Sequence, residues 1–167
     1  REVSTILQEA LSIYRVDVER ISALEPTHII TQSQCAVCAV STDELREALR
    51  ECFHKDNITV VDLNPESLEH VLENILLVAD HLDVGRKGEE LVSKMQRSFG
   101  DVRVKTKECC HRPRIAHIEW IEPMMVAGHW MMSLIEMAGS INVFPDEARR
   151  WIGFEEFVQQ DPEKILI

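Results

Sequence analysis

The residues best equipped for chemistry fall in two short stretches. In "IEWIEPMMVAGHW", Glu119 and Glu122 carry carboxylates, Trp120 and Trp130 carry indoles, and His129 carries an imidazole. Paired carboxylates could act as general acid and base, and a neutral imidazole at His129 could ligate zinc or iron. In "TQSQCAVCAVS", Cys35 and Cys38 form a CxxC pair that could exchange thiol for disulfide or give two sulfurs to zinc. A closed zinc site needs further ligands. The other soft-ligand cluster, Cys109, Cys110 and His111, stands far along the chain and reads equally well as a polar turn. Small apolar packing is the competing role for Cys35 and Cys38. For His129 it is a capping or hydrogen-bonding role.

Catalysis lacks its usual signatures. No nucleophile has an adjacent base, and neither GxxxxGK[ST] nor GxGxxG occurs. A wide aromatic wall with carboxylates and an imidazole suits instead a large, partly apolar ligand with polar edges. The methionines after His129 are expected mostly to fill gaps in a core. The leading expectation is therefore a non-catalytic binding protein. A metal-binding or thiol-redox protein built on Cys35 and Cys38 is the alternative.

Local pattern places these residues on elements. Residues 4–24 read as helical with a break near Tyr14, and Asp17 reads as a cap. His28–Thr31 is a short strand that runs into the CxxC loop. Ser41 and Glu44 form a capping box ahead of the next helix. Ile58–Leu63 is a β-branched strand. Asn64 as N-cap and Pro65 at the first position open a helix whose stripe runs from Leu68 to Leu82. Gly85 interrupts it, and a second helix continues to Phe99. Residues 101–113 are charged and irregular in pattern. Arg114–Ile121 is a strand, and alternation puts Trp120 on the face of Ile118 and Glu119 on the face of Ile121. Pro123 stops this strand, and Gly128 permits the turn into a helix that Gly139 ends. "INVF", "FEEFVQQ" and "KILI" read as strand, helix and strand.

Strands alternating with helices indicate an α/β fold with mostly parallel strands. "LEPTHIIT" and "QDPEKILI" echo one another, each a helix end, an acidic residue before Pro, then an apolar strand. The echo fits two similar lobes, read as 1–64 and 101–167 with a helical connector at 65–100. In open α/β sheets ligands bind beyond the carboxyl ends of the strands, where Glu119, Trp120 and Glu122 fall.

Composition narrows the partners. The 167 residues suffice for one ordinary domain or two small lobes. With 29 acidic against 18 basic residues the net charge is −11, which argues against nucleic acid and anionic membrane as partners. No apolar run approaches the roughly 20 residues that span a bilayer. Five cysteines with this spacing do not resemble a secreted disulfide scaffold and lean toward a reducing compartment. No signal peptide is visible, but the chain opens on Arg1, so the true N-terminus is expected upstream.

Three segments together, "IYRVDVERISALEPTHIITQSQCAVCAVS", "VVDLNPESLEHVLENI" and "PRIAHIEWIEPMMVAGHW", resemble the cobalamin-binding, BtuF-like branch of ABC-transporter substrate-binding proteins. The resemblance runs from about Tyr14 to the end of the chain. It implies two α/β lobes bridged by a long helix, with the first lobe incomplete and the chain a fragment or shortened member. It implies cobalamin or a related corrinoid or metal chelate as ligand, with a membrane permease as partner and the cell envelope as location. It also implies that Gln32, Cys35 and Cys38 contact the ligand from the first lobe, and Glu119, Trp120, Glu122, Gly128, His129 and Trp130 from the second.

Overall fold

The computed structural model describes residues 17–33, 58–145 and 150–167. Cys35, Cys38 and the helix expected after Ser41 lie outside them. The chain divides into two compact units, 1–65 and 66–167.

In the first unit, helix α1 (Val18–Leu24) starts where Asp17 Oδ1 accepts the Arg20 backbone N–H at 3.0 Å. This is the expected cap, and it satisfies a donor that the helix start leaves open. Glu25, at φ 45°, closes the helix in the left-handed conformation, and its N–H returns to the Ser22 carbonyl. Strands β1 (His28–Gln32) and β2 (Thr59–Leu63) then pair in parallel, from His28 opposite Thr59 to Gln32 opposite Leu63. Val61 is the buried residue of β2.

The second unit opens with helix α2 (Leu68–His81). Its N-cap is Ser67 and not Asn64, because the extended Ser67 turns its Oγ to accept the His70 N–H at 3.1 Å. Leu68 and Ala79 on the expected stripe are buried. Asp83, at φ 55°, makes the break, and the Val84 N–H closes back on the Ala79 carbonyl at 2.8 Å. Gly85 therefore begins the next helix, α3 (Gly85–Lys107), which at 23 residues is about 35 Å long. α2 and α3 pack so closely that a Cβ on Gly88 would sit 2.5 Å from that of Ala79.

Residues 101–107, irregular by pattern, continue α3. Helical periodicity is visible only where a stripe is buried, and here Thr106 alone is partly buried. Its hydroxyl lies within hydrogen-bond distance of both the Val102 carbonyl of its own helix, at 3.0 Å, and the Met137 carbonyl of the next, at 3.1 Å. The stretch read from the sequence as a connector thus begins at the unit boundary and packs within the second unit.

Strand β3 (Arg114–Trp120) is the centre of the second sheet. Ile115 pairs with both Asn142 of β5 (Ile141–Asn142) and Lys164 of β7 (Lys164–Leu166), so two parallel strands flank its first half. Toward its other end β3 pairs antiparallel with β4 (Met125–Val126), which pairs in turn with β6 (Arg150–Trp151). The sequence expectation of parallel strands misses β4 and β6, since two residues are too few to display an alternation.

Helix α4 (Trp130–Met137) packs on α2, α3 and β5, and Gly139 at φ 78° ends it as expected. The core behind the sheet joins Ala116, Ile118, Val126, Val143, Phe144 and Ile152, with Phe157 of α5 (Phe154–Gln159) packed against it. Among the described residues no helix is long and apolar enough to cross a membrane.

Candidate functional site

The chemistry-bearing stretch lies at the antiparallel end of β3, and its geometry is set by one irregularity. Ile118 pairs with Val126, but Trp120 pairs with Met125, so β3 advances two residues while β4 advances one. Such a bulge re-aims the side chains that follow it. Simple alternation puts Trp120 on the face of Ile118, and the structure corrects this. Ile118 is buried in the core, whereas Trp120 is 59% exposed.

The pairing continues across β4. Met125 stands opposite Trp120 on one side and opposite Trp151 on the other. Directly paired residues share a face of the sheet, so Trp120, Met125 and Trp151 form a row. The neighbouring row, Ile118, Val126 and Arg150, faces the core, where the Arg150 guanidinium lies 5.7 Å from the Phe144 ring centre. Consecutive residues of a strand point to opposite faces, which turns the Trp–Met–Trp row outward. Trp151 is 53% exposed, and Ile121 and Phe154 are exposed beside it in sequence on either arm.

Glu122 holds this row in place through its backbone. Its carbonyl accepts the Trp120 indole N–H at 2.9 Å, which fixes the ring over the turn. The Glu122 side chain is exposed and that of Glu119 is half-buried. Beside Glu119 on β3, His117 is held below its ordinary value of 6.5 by burial, an effect that the negative charge of Glu119 partly opposes. His117 Nδ1 is buried with no hydrogen-bond partner among the described residues.

β4 then carries the chain back along β3, and the Ala127 N–H donates to the His117 carbonyl at 3.1 Å. Gly128, His129 and Trp130 therefore follow beside the middle of β3 and not at its tip. The left-handed residue of this turn is His129, at φ 56° and ψ −132°, whereas Gly128 does not take a positive φ. A side chain is strained there. His129 caps α4 without a side-chain hydrogen bond to the helix, and its ring centre lies 6.0 Å from that of Trp130. Both residues are half-buried, as are Met131, Met132 and Leu134, while Ile135 and Met137 are buried.

Among the expected site residues, the geometry joins Trp120 to Glu122 and His129 to Trp130. Gln32 is exposed at the end of β1, and Cys35 and Cys38 lie outside the described residues. The sequence reading missed Met125 and Trp151 as partners of Trp120. The exposed Trp in "RRWIGF" was a visible signal, but its place in the row depends on strand register.

Among the described residues no group of three or more His, Cys, Asp or Glu side chains could hold a metal. His111 pairs instead with Glu163, its Nε2 lying 2.9 Å from Oε2. The second oxygen of Glu163 accepts the Arg114 N–H at 3.1 Å, and these contacts hold its carboxyl below the usual carboxylate range. Cys109 and Cys110 are free and exposed.

A family model described as periplasmic binding protein matches residues 5–167. No curated protein matches the chain. Among solved structures, the periplasmic heme-binding protein RhuT from Roseiflexus sp. RS-1 is 20% identical with a TM-score of 0.72. The periplasmic vitamin B12 binding protein BtuF of Vibrio cholerae is 20% identical with a TM-score of 0.63. IsdE of S. aureus, solved with heme, is 18% identical with a TM-score of 0.65. Each alignment covers 90% of this chain and 57% of the other, so the chain spans little more than half the length of these structures. The likeness establishes the α/β fold of this class of binding proteins.

Proposed function

Since the chain belongs to the periplasmic binding protein family, we propose that it captures cobalamin or a related corrinoid or tetrapyrrole-sized chelate, without catalysis, for delivery to an ABC-type permease. The observation that carries this reading is the outward row of Trp120, Met125 and Trp151. Two indoles and a thioether offer a broad, polarizable surface with few rotatable bonds, suited to the face of a flat macrocycle. Glu119 and Glu122 lie next to it in sequence and provide polar contacts for amide or hydroxyl edges. His129 is the candidate for approach to a metal centre, since imidazole is a common ligand of transition metals. Gln32, Cys35 and Cys38 join the proposed contacts on the motif resemblance alone.

Supporting the ligand class, similar structures include proteins described as binding heme or vitamin B12. The acidic surface implied by a net charge of −11 suits docking onto basic residues of a permease. The test is titration of cobalamin and of haem against the chain and its Trp120→Ala/Trp151→Ala variant, followed by absorbance and tryptophan fluorescence. Tight binding of one ligand, lost in the variant, is expected. Equal affinity in both proteins, or no binding of either ligand by the full-length protein, refutes the reading.

A further inference from the structure

A concave site lies near the start of β3, away from the aromatic row at its end. The last turns of α3, the loop after it and the exposed side of α4 line an open groove of about 460 Å³. That volume is within the range of small-molecule sites, about 300–1,000 Å³. Its cations come from two elements: Arg103 and Lys107 from α3, and Arg112 from the loop leading to β3. Arg112 precedes the first residue of β3, while Trp120 is the last, so about 20 Å of strand separates the two sites.

We propose that this groove binds a phosphorylated small molecule of about nucleotide size, with Arg103, Lys107 and Arg112 taking the phosphate oxygens. Three cationic side chains line one concavity, where an anion would relieve their mutual repulsion. Among the described residues none of the three forms a salt bridge. Glu136 lines the same groove without pairing to them. The helix dipole accounts for Lys107 in the last turn of α3, whereas Arg112 reaches the groove from the loop before β3. The Arg112 guanidinium is already positioned, since Nη2 donates to the Ser140 carbonyl at 3.2 Å and leaves the rest of its fork for a ligand.

The groove itself is firmly built. The Thr106 hydroxyl lies 3.1 Å from the Met137 carbonyl, and a Cβ on Gly139 would lie 2.8 Å from that of Thr106, so the end of α4 is pressed against α3. Ser133 and Glu136, both exposed on α4, offer acceptors for hydroxyl or amino groups. A bare phosphate would leave most of this space empty. An organic phosphate fills it.

Calorimetric titration with ADP and with inorganic pyrophosphate tests the assignment. Saturable binding is expected, tighter for ADP and weakened by salt, with Arg103→Ala and Arg112→Ala each costing about tenfold in affinity. Trp120→Ala should leave it unchanged, which separates this site from the corrinoid reading. A second readout needs no variant: Cys109 lines the groove and its neighbour Cys110 does not. ADP should slow iodoacetamide alkylation of Cys109 and not of Cys110, as read by peptide mass spectrometry. Failure of both probes to bind, undiminished affinity in the arginine variants, absence of Cys109 protection, or ADP binding no tighter than pyrophosphate would each overturn the proposal.

Discussion

Trp120 and Trp151 flank Met125 in register across three short strands, and both indoles face away from the core that Ile118 and Val126 enter. The pair therefore lies outside the core and forms the surface proposed to meet the ligand. Each Trp→Ala substitution should weaken binding of the proposed macrocycle by about tenfold or more, as expected of a central aromatic anchor. Stability should change by less than about 1 kcal/mol, because exposed positions tolerate truncation. Ligand titration beside urea denaturation of the same proteins checks both halves.

Two glycines of α3 should respond to alanine with opposite signs. At Gly88 the added Cβ meets that of Ala79 at 2.5 Å, and both residues are buried, so the helices must separate. A loss of about 1–3 kcal/mol is expected from overpacking. At Gly100 nothing lies within 4 Å, and alanine should stabilise the helix by about 0.5–1 kcal/mol. Denaturation midpoints at constant slope decide the comparison.

His129 holds a left-handed backbone that a side chain disfavours, at φ 56°. His129→Gly should relieve this strain and raise stability by about 1 kcal/mol. If the imidazole meets the ligand, the same variant should bind more weakly, the trade-off of a strained functional position. Unaltered binding in a stabilised variant would remove His129 from the site.

Burial lowers the His117 pKa in the folded chain below its ordinary value of 6.5, so the unfolded chain binds the proton more readily. Protonation thus favours unfolding, and stability should be fully present above 6.5 and decline as pH falls below it toward the lowered value. His117→Gln should flatten that part of the curve. Thermal unfolding followed from neutral pH downward measures the slope, and an identical slope in the variant would assign the effect to other groups.

Much of the element order was legible in local pattern. Asp17 caps α1, Gly139 ends α4, and the strand at Arg114 was found within one residue of its end. Local signals failed where partners lie far along the chain. Ser67 displaced Asn64 as cap because its hydroxyl reaches His70. The last turns of α3 show no apolar stripe because Thr106 alone anchors them, through Met137. β4 and β6 exist only as partners of β3 and of each other.

The same division separates the candidate residues from the site they form. Residue types and spacing by themselves marked Glu119, Trp120, Glu122, His129 and Trp130 as the place to look, since a strand end with indoles, carboxylates and imidazole is chemically unusual. They also determined the α/β class, because alternating periods of two and about 3.6 are properties of the backbone. Only the tertiary structure decided which way Trp120 faces, which residues share its surface, and which backbone bears the strain of the turn. A bulge and a register are relations between strands, and strand pairing joins Trp120 to Trp151 although 31 positions separate them (151 − 120). No periodicity within either segment carries that information.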